Sequence, residues 1–527
     1  LSVNHRTSSI PILILSVTTC HSHGQSPPST HTIQLAQAKP FHLSHVPSVR
    51  HKVALQFLFS NLALAANFAL SIVLARLLTP QEIGIFSMSA VLIAVAHVFR
   101  DFGVTAFIKR EKELRPEMLR NALGVLLATS WTVAALMFLS ARYWAHFFHE
   151  DQVVPVVQVL ALGFIFIPFG AIPMAILTRE LAVEKTAYVT AASTVVYFIT
   201  SILLALNGFG AMTMAWANLV NIIVAGAMAR WMVGRPLPWL PGLGQVRDIV
   251  NFGLGNLFTA LLKAADNALP DVMLGRWMTP AAVGLFSRAN STVNMANAAL
   301  LPTVNYFALP HLAKVHHAQG PVGGEYLRAS SLINAMMLPA FAAIAVLAHD
   351  IVSLLYGQAW MAAAPAIPWL CLSYAVSSLF TLSTPALTGV GKPYAAIGPN
   401  TVVLLAKALF ALWLMNGSLH NFALAMALGQ LLGIPFYLWI HKRHLNLTWT
   451  AWGRSTVPLV AQGLLVGGIC LATRQAVPQD IAPWVAILVT GACAALAFLV
   501  GCFALSLPMA GELRRMRKAL AQRRQCP

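Results

Sequence analysis

Charge is what this chain has least of. Only 9% of its 527 residues are Asp, Glu, Lys or Arg, against roughly a quarter in a soluble domain, which excludes an ordinary water-soluble fold. Acidic residues are the scarcer sign, 16 Asp and Glu against 34 Lys and Arg. The six cysteines, Cys20, Cys371, Cys470, Cys493, Cys502 and Cys526, form no CxxC pair and no Cys/His spacing that would hold a metal. Most stand in apolar runs, where a thiol packs as a small hydrophobe. GxxxxGK[ST], HExxH and GxSxG are missing as well, so there is no phosphate-cradling loop, no zinc-peptidase helix and no nucleophile elbow. We expect no catalysis, no cofactor and no metal.

Apolar residues are abundant, at 58% of the chain. They recur in runs of about 20, the length a helix needs to cross a bilayer core. The chain therefore reads as an all-α polytopic membrane protein. Its net charge of +18 needs no nucleic-acid partner, because basic residues of membrane proteins collect on the cytoplasmic side. Residues 1–50 are a different text, rich in His, Ser, Thr and Pro, and cannot bury enough apolar surface to order themselves. "IPILILSV" before Cys20 is too short for a signal core, and Thr19 is larger than a cleavage site prefers. The chain begins with Leu and has no Met before Met88. An over-extended start accounts for this, and the segment is set aside as a disordered or misannotated extension.

From Val53 onward we count about fourteen apolar segments. They begin near Val53, Ile83, Met118, Val153, Val183, Ala211, Ile249, Ala281, Ala329, Met361, Tyr394, Asn421, Ser455 and Ile481. With the N-terminus cytoplasmic, every second connection is the basic one. These connections hold "KREKELRPEMLR" from Lys109, then Arg179 with Lys185, Arg230 with Arg235 and Arg247, and Lys314 with Arg328. They also hold Lys392, Lys442 with Arg443 and Arg454, and the tail "ELRRMRKALAQRR". The opposite side keeps only Arg76, Arg142, Arg276 and Arg474. A misplaced span would invert the bias downstream, so the alternation places both termini in the cytoplasm.

One short text occurs twice. "LARLLTPQEIGIFS" starts at Leu74 and "LGRWMTPAAVGLFS" at Leu274, identical at seven of fourteen positions and offset by 200 residues. Each copy straddles an external turn, the first joining spans 1 and 2 and the second spans 7 and 8. Six intervening spans make the repeats parallel, related by an axis along the membrane normal. Residues 51–247 then form a first six-helix lobe and 248–445 a second. Residues 446–510 supply two extra spans, and 511–527 a basic cytoplasmic tail.

"LARLLTPQEIGIFSM", "RDFGVTAFIKRE", "LGRWMTPAAVGLFSRA" and "ALPHLAK" resemble the polysaccharide transporter family. Its members are oligosaccharide flippases of the multidrug/oligosaccharidyl-lipid/polysaccharide exporter superfamily. The resemblance extends over roughly residues 50 to 440. It implies a V-shaped bundle of two lobes plus two helices, a bacterial inner-membrane location and export of lipid-linked saccharides. It also draws attention to "FSRA" at Phe286, where the family's element begins with Tyr.

Aligning the repeats compares polar faces. Gln56, Ser60, Asn67 and Ser71 share one face of span 1, and Asn256, Ala260, Asn267 and Asp271 share the matching face of span 7. Polar groups facing lipid are costly, so these faces point at protein or at a wet cavity between the lobes. Arg100, Lys263, Arg288 and Lys407 are the cations inside spans. Lys263 sits near mid-membrane with Asp266 at i+3, spaced to pair with it; Lys407 is similarly deep. We take Lys263, Arg288, Lys407, Asn67, Asn256 and Asn267 as candidate substrate-binding residues, the cations suiting a pyrophosphate. Asp266 and Asp271 are candidates for ion coupling.

The expected function is translocation of a polyprenyl-pyrophosphate oligosaccharide by alternating access, for O-antigen, capsule or exopolysaccharide. Its partners would be the lipid-linked oligosaccharide, the bilayer, and polymerase and glycosyltransferase enzymes, with no nucleic acid. An ion-coupled multidrug antiporter is the alternative, disfavoured by the deep lysines. No external loop exceeds about fifteen residues, which leaves no room for an embedded catalytic domain.

Overall fold

The computed structural model describes residues 49–505, apart from 102–103, 105–107, 109–114, 181, 235, 237, 239–240, 243, 245 and 479–480. Within helices, the side chains of 49–60, 101, 246–257, 259, 302–303 and 305–307 are also outside the description. The expected tail and nearly all of the expected N-terminal extension therefore lie outside the described residues.

Among the described residues the chain is helical, with no strand. The first group is α1 (Val49–Leu77), α2 (Pro80–Asp101), α3 (Pro116–Phe148), α4 (Val153–Arg179), α5 (Val183–Leu206) and α6 (Met212–Val233). The second begins with α7 (Val246–Trp277), α8 (Pro280–His317), α9 (Val322–Val346) and α10 (Ala348–Leu355). A 3-10 segment (Gln358–Ala366) leads into α11 (Ile367–Leu379) and α12 (Ser383–Gly389). Then follow α13 (Ile397–Leu414), α14 (Leu419–Leu432) and α15 (Ile434–Leu445), and α16 (Trp449–Ala476) and α17 (Pro483–Ala504) end the fold.

Eleven helical segments among the described residues are long and apolar enough to cross a membrane. Helices α7 and α8 are long but outside that number, and α1 is counted only over Asn61–Leu77, the part whose side chains are described. These are the helices that carry most of the candidate polar residues. Length and composition thus support eleven spans, and the expected fourteen needs these three as well.

The repeated turns show how sequence sets local structure. In the first, Thr79 N donates to Glu82 Oε2 at 2.8 Å and Glu82 N donates to Thr79 Oγ1 at 3.3 Å, a reciprocal capping box at the start of α2. In the second, Ala282 stands where Glu82 does, and only the Thr half survives: Ala282 N donates to Thr279 Oγ1 at 3.2 Å. Pro80 and Pro280 open their helices where a missing N–H costs nothing.

Within the first group, α4 packs along α3 and α6, and α1 along α5. In the second, α13 packs on α14 and α9 on α16. The extra pair is tied down by Arg474 on α16, whose Nε and Nη2 donate to the two oxygens of Asp350 at 2.7 and 3.0 Å. Asp350 is only 5% exposed, so this planar fork-to-fork pair fixes where α16 meets α10.

The two groups meet through α2 and α8, and the contact is made by the two copies of the repeat against each other. A Cβ on Gly84 would stand 1.7 Å from Pro280 O, and one on Gly284 would stand 1.9 Å from Pro80 O. Nothing larger than glycine fits at either place. Ser87 Oγ lies 3.4 Å from Ser287 Oγ, again with an offset of 200. Around this centre Trp360 Nε1 donates to Ala75 O at 2.6 Å, and Arg76 reaches the carbonyls of Leu354 and Leu355 that end α10. Its repeat counterpart Arg276 approaches the ring nitrogens of His149, the C-cap of α3, at 2.7 and 3.0 Å. We call this the turn end.

The geometry makes S87C/S287C a reporter of the turn-end contact. We expect the pair to form a disulfide under mild oxidation. Adding Gly84→Val should turn the linked form from the main product into a minor one, as read by mass spectrometry of the linked peptides. Unchanged linkage in that variant would mean the contact is looser than described.

Candidate functional site

The candidate site is built on the stretches of α1 and α7 that lead away from the repeated turns. On α7, Lys263 and Asn267 are one helical turn apart and exposed, whereas Ala264 and Ala268 bury the adjoining face. At 1.5 Å per residue, Lys263 lies about 24 Å along the helix from the turn. On α1, Asn67 is exposed and its Nδ2 donates to Ala63 O at 2.9 Å, so its amide is anchored on its own helix. The side chains of Gln56, Ser60 and Asn256 lie outside the described residues. Where they are described, the two faces expose polar side chains along α1 and α7.

The charges do not pair as their spacing predicts. Lys263 and Asp266 are three residues apart, yet Asp266 Oδ1 accepts from Lys407 Nζ of α13 at 2.8 Å. The reason is desolvation. Lys407 is 12% exposed and its partner Asp266 40%, and an ammonium removed from water needs a counter-charge more than an exposed one does. Close packing adds to this, since Gly429 of α14 lies against the backbone of Lys407 and holds α13 in place. The pairing of Lys263 with Asp266 that the spacing predicts is therefore corrected: Asp266 pairs with Lys407. Lys263 makes no ion pair among the described residues.

Arg288 turns inward. From α8 its Nη1 donates to both Ser71 Oγ and Ser71 O of α1, the latter at 3.3 Å. Its Nε is buried and finds no acceptor among the described residues. One turn further on, Thr292 Oγ1 lies 3.1 Å from Tyr356 OH. Asn290, two residues on, accepts from Tyr374 OH at 2.8 Å. Asp271 on α7 is half-buried, and no donor reaches it among the described residues. The structure thus brings together Asp266 with Lys407, and Ser71 with Arg288. It leaves Lys263, Asn267 and Asn67 on exposed faces.

Reading the sequence missed the turn-end contact. The repeat was legible as a pair of hairpins, but not that each copy packs on the other. Its signal was the identical spacing TPxxxGxFS, in which the glycine stands four residues after the proline in both copies.

Two groups of helices joined by facing repeats, with polar faces running away from the junction, define a two-lobed fold that is helical throughout the described residues. The chain belongs to the family described as polysaccharide biosynthesis protein, whose match covers residues 73–365. Among curated relatives it is similar to the lipopolysaccharide biosynthesis protein WzxC of Escherichia coli, 23% identical over 57% of this chain and 61% of that protein. The match therefore spans less than two thirds of WzxC. It is also similar to the teichuronic acid biosynthesis protein TuaB of Bacillus subtilis, 20% identical over 72% of this chain and 80% of that one. Among solved structures, the lipid II flippase MurJ in an inward closed conformation superposes with TM-score 0.68 at 12% identity, covering 86% of this chain and 98% of MurJ. An inward-facing multidrug resistance transporter of the MATE family gives 0.57 at 15% identity, covering 74% and 95%. At these identities the structures establish the fold.

The Lys407–Asp266 pair makes a sharp expectation for stability. Asp266→Asn strands a largely buried ammonium and should cost about 3 kcal/mol. The double variant D266N/K407M should regain most of that loss. Thermal unfolding of the purified protein in detergent measures both; a double variant as unstable as D266N would mean the pair is not the reason.

Proposed function

We propose that the chain carries a lipid-linked oligosaccharide, through its polyprenyl-pyrophosphate head, across the bacterial inner membrane by alternating access. The product would serve surface polysaccharide assembly. On this reading the turn end faces outward, because the basic connections occupy the other end, and both chain termini are cytoplasmic. Family membership supports the substrate class, and the likeness to MurJ supports the scaffold. The cross-lobe contacts at the turn end describe a protein closed on that side.

One observation carries the proposal: Lys263 is an exposed cation, and the carboxylate one turn away on its own helix, Asp266, is already engaged by Lys407. A cation with no internal counter-charge attracts an anion, and a pyrophosphate head is an anion. It repels the organic cations that an antiporter of the same fold would need to bind. Asn67 and Asn267 add hydrogen-bonding groups suited to sugar hydroxyls. Asp266, freed when cargo competes for Lys407, and Asp271 are the groups through which an ion gradient would act. Polymerase and glycosyltransferase enzymes would be the partners on either side of the step, and the chain itself would perform no chemical conversion.

The test is Lys263→Ala beside Lys263→Arg in a strain whose surface polysaccharide depends on this gene. Loss of polymer by tenfold or more in the Ala variant, about 1.4 kcal/mol or above in cargo recognition, with substantial retention in the Arg variant, is expected at equal protein level. Wild-type polymer in Lys263→Ala would remove the headgroup role. Altered tolerance to cationic drugs with unchanged polymer would point to the antiporter instead.

A further inference from the structure

The repeat places an arginine at the same step of each turn, Arg76 and Arg276. Both cross to the other lobe, but what they meet differs in chemistry. Arg76 donates to the carbonyls of Leu354 and Leu355, acceptors that do not titrate. Arg276 meets a histidine. Its Nη1 lies 2.7 Å from Nδ1 and 3.0 Å from Nε2 of His149, and its guanidinium carbon is 5.5 Å from the centre of the Phe147 ring. The end of α3 aims the His149 ring: Glu150 N donates to Ala145 O at 3.0 Å, and His149 takes the left-handed φ of 55° that closes the helix. Gly275 lets α7 come close there, since a Cβ on it would stand 2.9 Å from Phe148 Cδ1. His149 is exposed and lies just beyond the span that ends at Phe148, so solvent reaches its ring.

We propose that His149 and Arg276 form a pH-sensitive latch between the lobes, closed while the imidazole is neutral and released when it takes up a proton. The inference rests on the alternating-access reading above. One guanidinium nitrogen within reach of both ring nitrogens lies against the ring itself, and a neutral imidazole offers it a lone pair and an aromatic face. An imidazolium offers neither, because both its nitrogens donate and its charge repels the guanidinium. Histidine is the side chain whose charge changes between about pH 5 and 8. The closed joint therefore binds fewer protons here than the open one, so acid favours opening and higher pH favours closure. The surrounding groups fit that direction. His146, whose ring centre is 6.3 Å from that of His149, is a second histidine and adds positive charge in acid. Glu150 and Asp151 follow in the same turn, and the Glu150 carboxylate accepts from Gln152 N at 3.4 Å. Helix α4 carries no titratable side chain before Arg179 at its far end. Glu82, the acid at this end of α2, is turned to Thr79 and Gly210. On α7 the next titratable residue is Asp271, five positions back.

The S87C/S287C reporter tests the latch in the full-length protein in liposomes, with both faces at one pH so that the outcome does not depend on which side the turn end occupies. The quantity read is the linking rate with His149 divided by the rate of the His149→Asn variant at the same pH, which cancels the pH dependence of thiol oxidation. Asparagine keeps the left-handed helix end and does not titrate. The ratio should fall about fivefold from about pH 8 to about pH 5.5, the effect of one hydrogen bond lost. In an Arg276→Met background it should no longer vary with pH, because the ring has no cation to release. In an Arg76→Met background the fall should persist, since that arginine is held by carbonyls. A ratio that stays constant with pH, one that still falls without Arg276, or a fall abolished equally by Arg76→Met would overturn the latch. Failure of the polysaccharide assignment would show in the Lys263 experiment and leave this reporter untouched.

Discussion

Everything described here hangs on two backbone carbonyls resting on two glycines. Pro80 O faces Gly284 and Pro280 O faces Gly84, and the approach is so close that a single methyl group has no room. Contacts of Cα–H to carbonyl oxygen are weak, about 0.5–1 kcal/mol each. Their proximity thus gives geometry without great strength. Two helices are held at one register by shape, and the side chains around them, Ile83, Met88, Val283 and Phe286 among them, belong to one buried apolar cluster drawn from both lobes. The neighbouring hydrogen bonds have the same character, with Arg76 and Trp360 reaching main-chain carbonyls of the opposite lobe.

Charge is then distributed according to how much water each group keeps. Arg474 and Asp350 form a planar pair where α16 must stay attached. Lys407, largely buried, takes Asp266. Lys263, in reach of the same carboxylate by sequence spacing, is exposed and goes without. One acid cannot serve two cations equally, and desolvation decides which is served. The result is a polar face with a net positive group at depth, made by a pairing elsewhere.

Much of the fold was legible in the sequence. Runs of about 20 apolar residues pointed to the eleven spans that length and composition support, and the repeat pointed to the two turns that meet between the helix groups. The hydropathy signal is weak at α7 and α8, because polar residues lower the mean there; in these helices the repeat reveals the correspondence. The candidate site was half legible. Residue types drew attention to Lys263, Asp266, Asp271, Arg288 and Lys407, but pairing was not readable from spacing. The i+3 rule describes neighbours on one helix, while Asp266 found its partner 141 residues away. The turn-end contact was hidden for the same reason: a glycine can report a close approach without naming what approaches.

The repeat is most informative where its copies disagree. Identical residues, the Thr-Pro start, the glycine and the serine, sit where the two lobes must fit each other, and a symmetric joint needs symmetric parts. Glu82 against Ala282 is a difference the fold tolerates, since the remaining threonine still caps its helix. Ser71 against Asp271 and Met88 against Arg288 are of another kind. They leave the joint symmetric in shape but not in polarity: Arg288 reaches across it to Ser71, and Met88, its counterpart, is buried and can make no such bond. One hydrogen-bonded cross-link therefore stands on one side of a shape-matched contact, where desolvation of the guanidinium makes its acceptor indispensable.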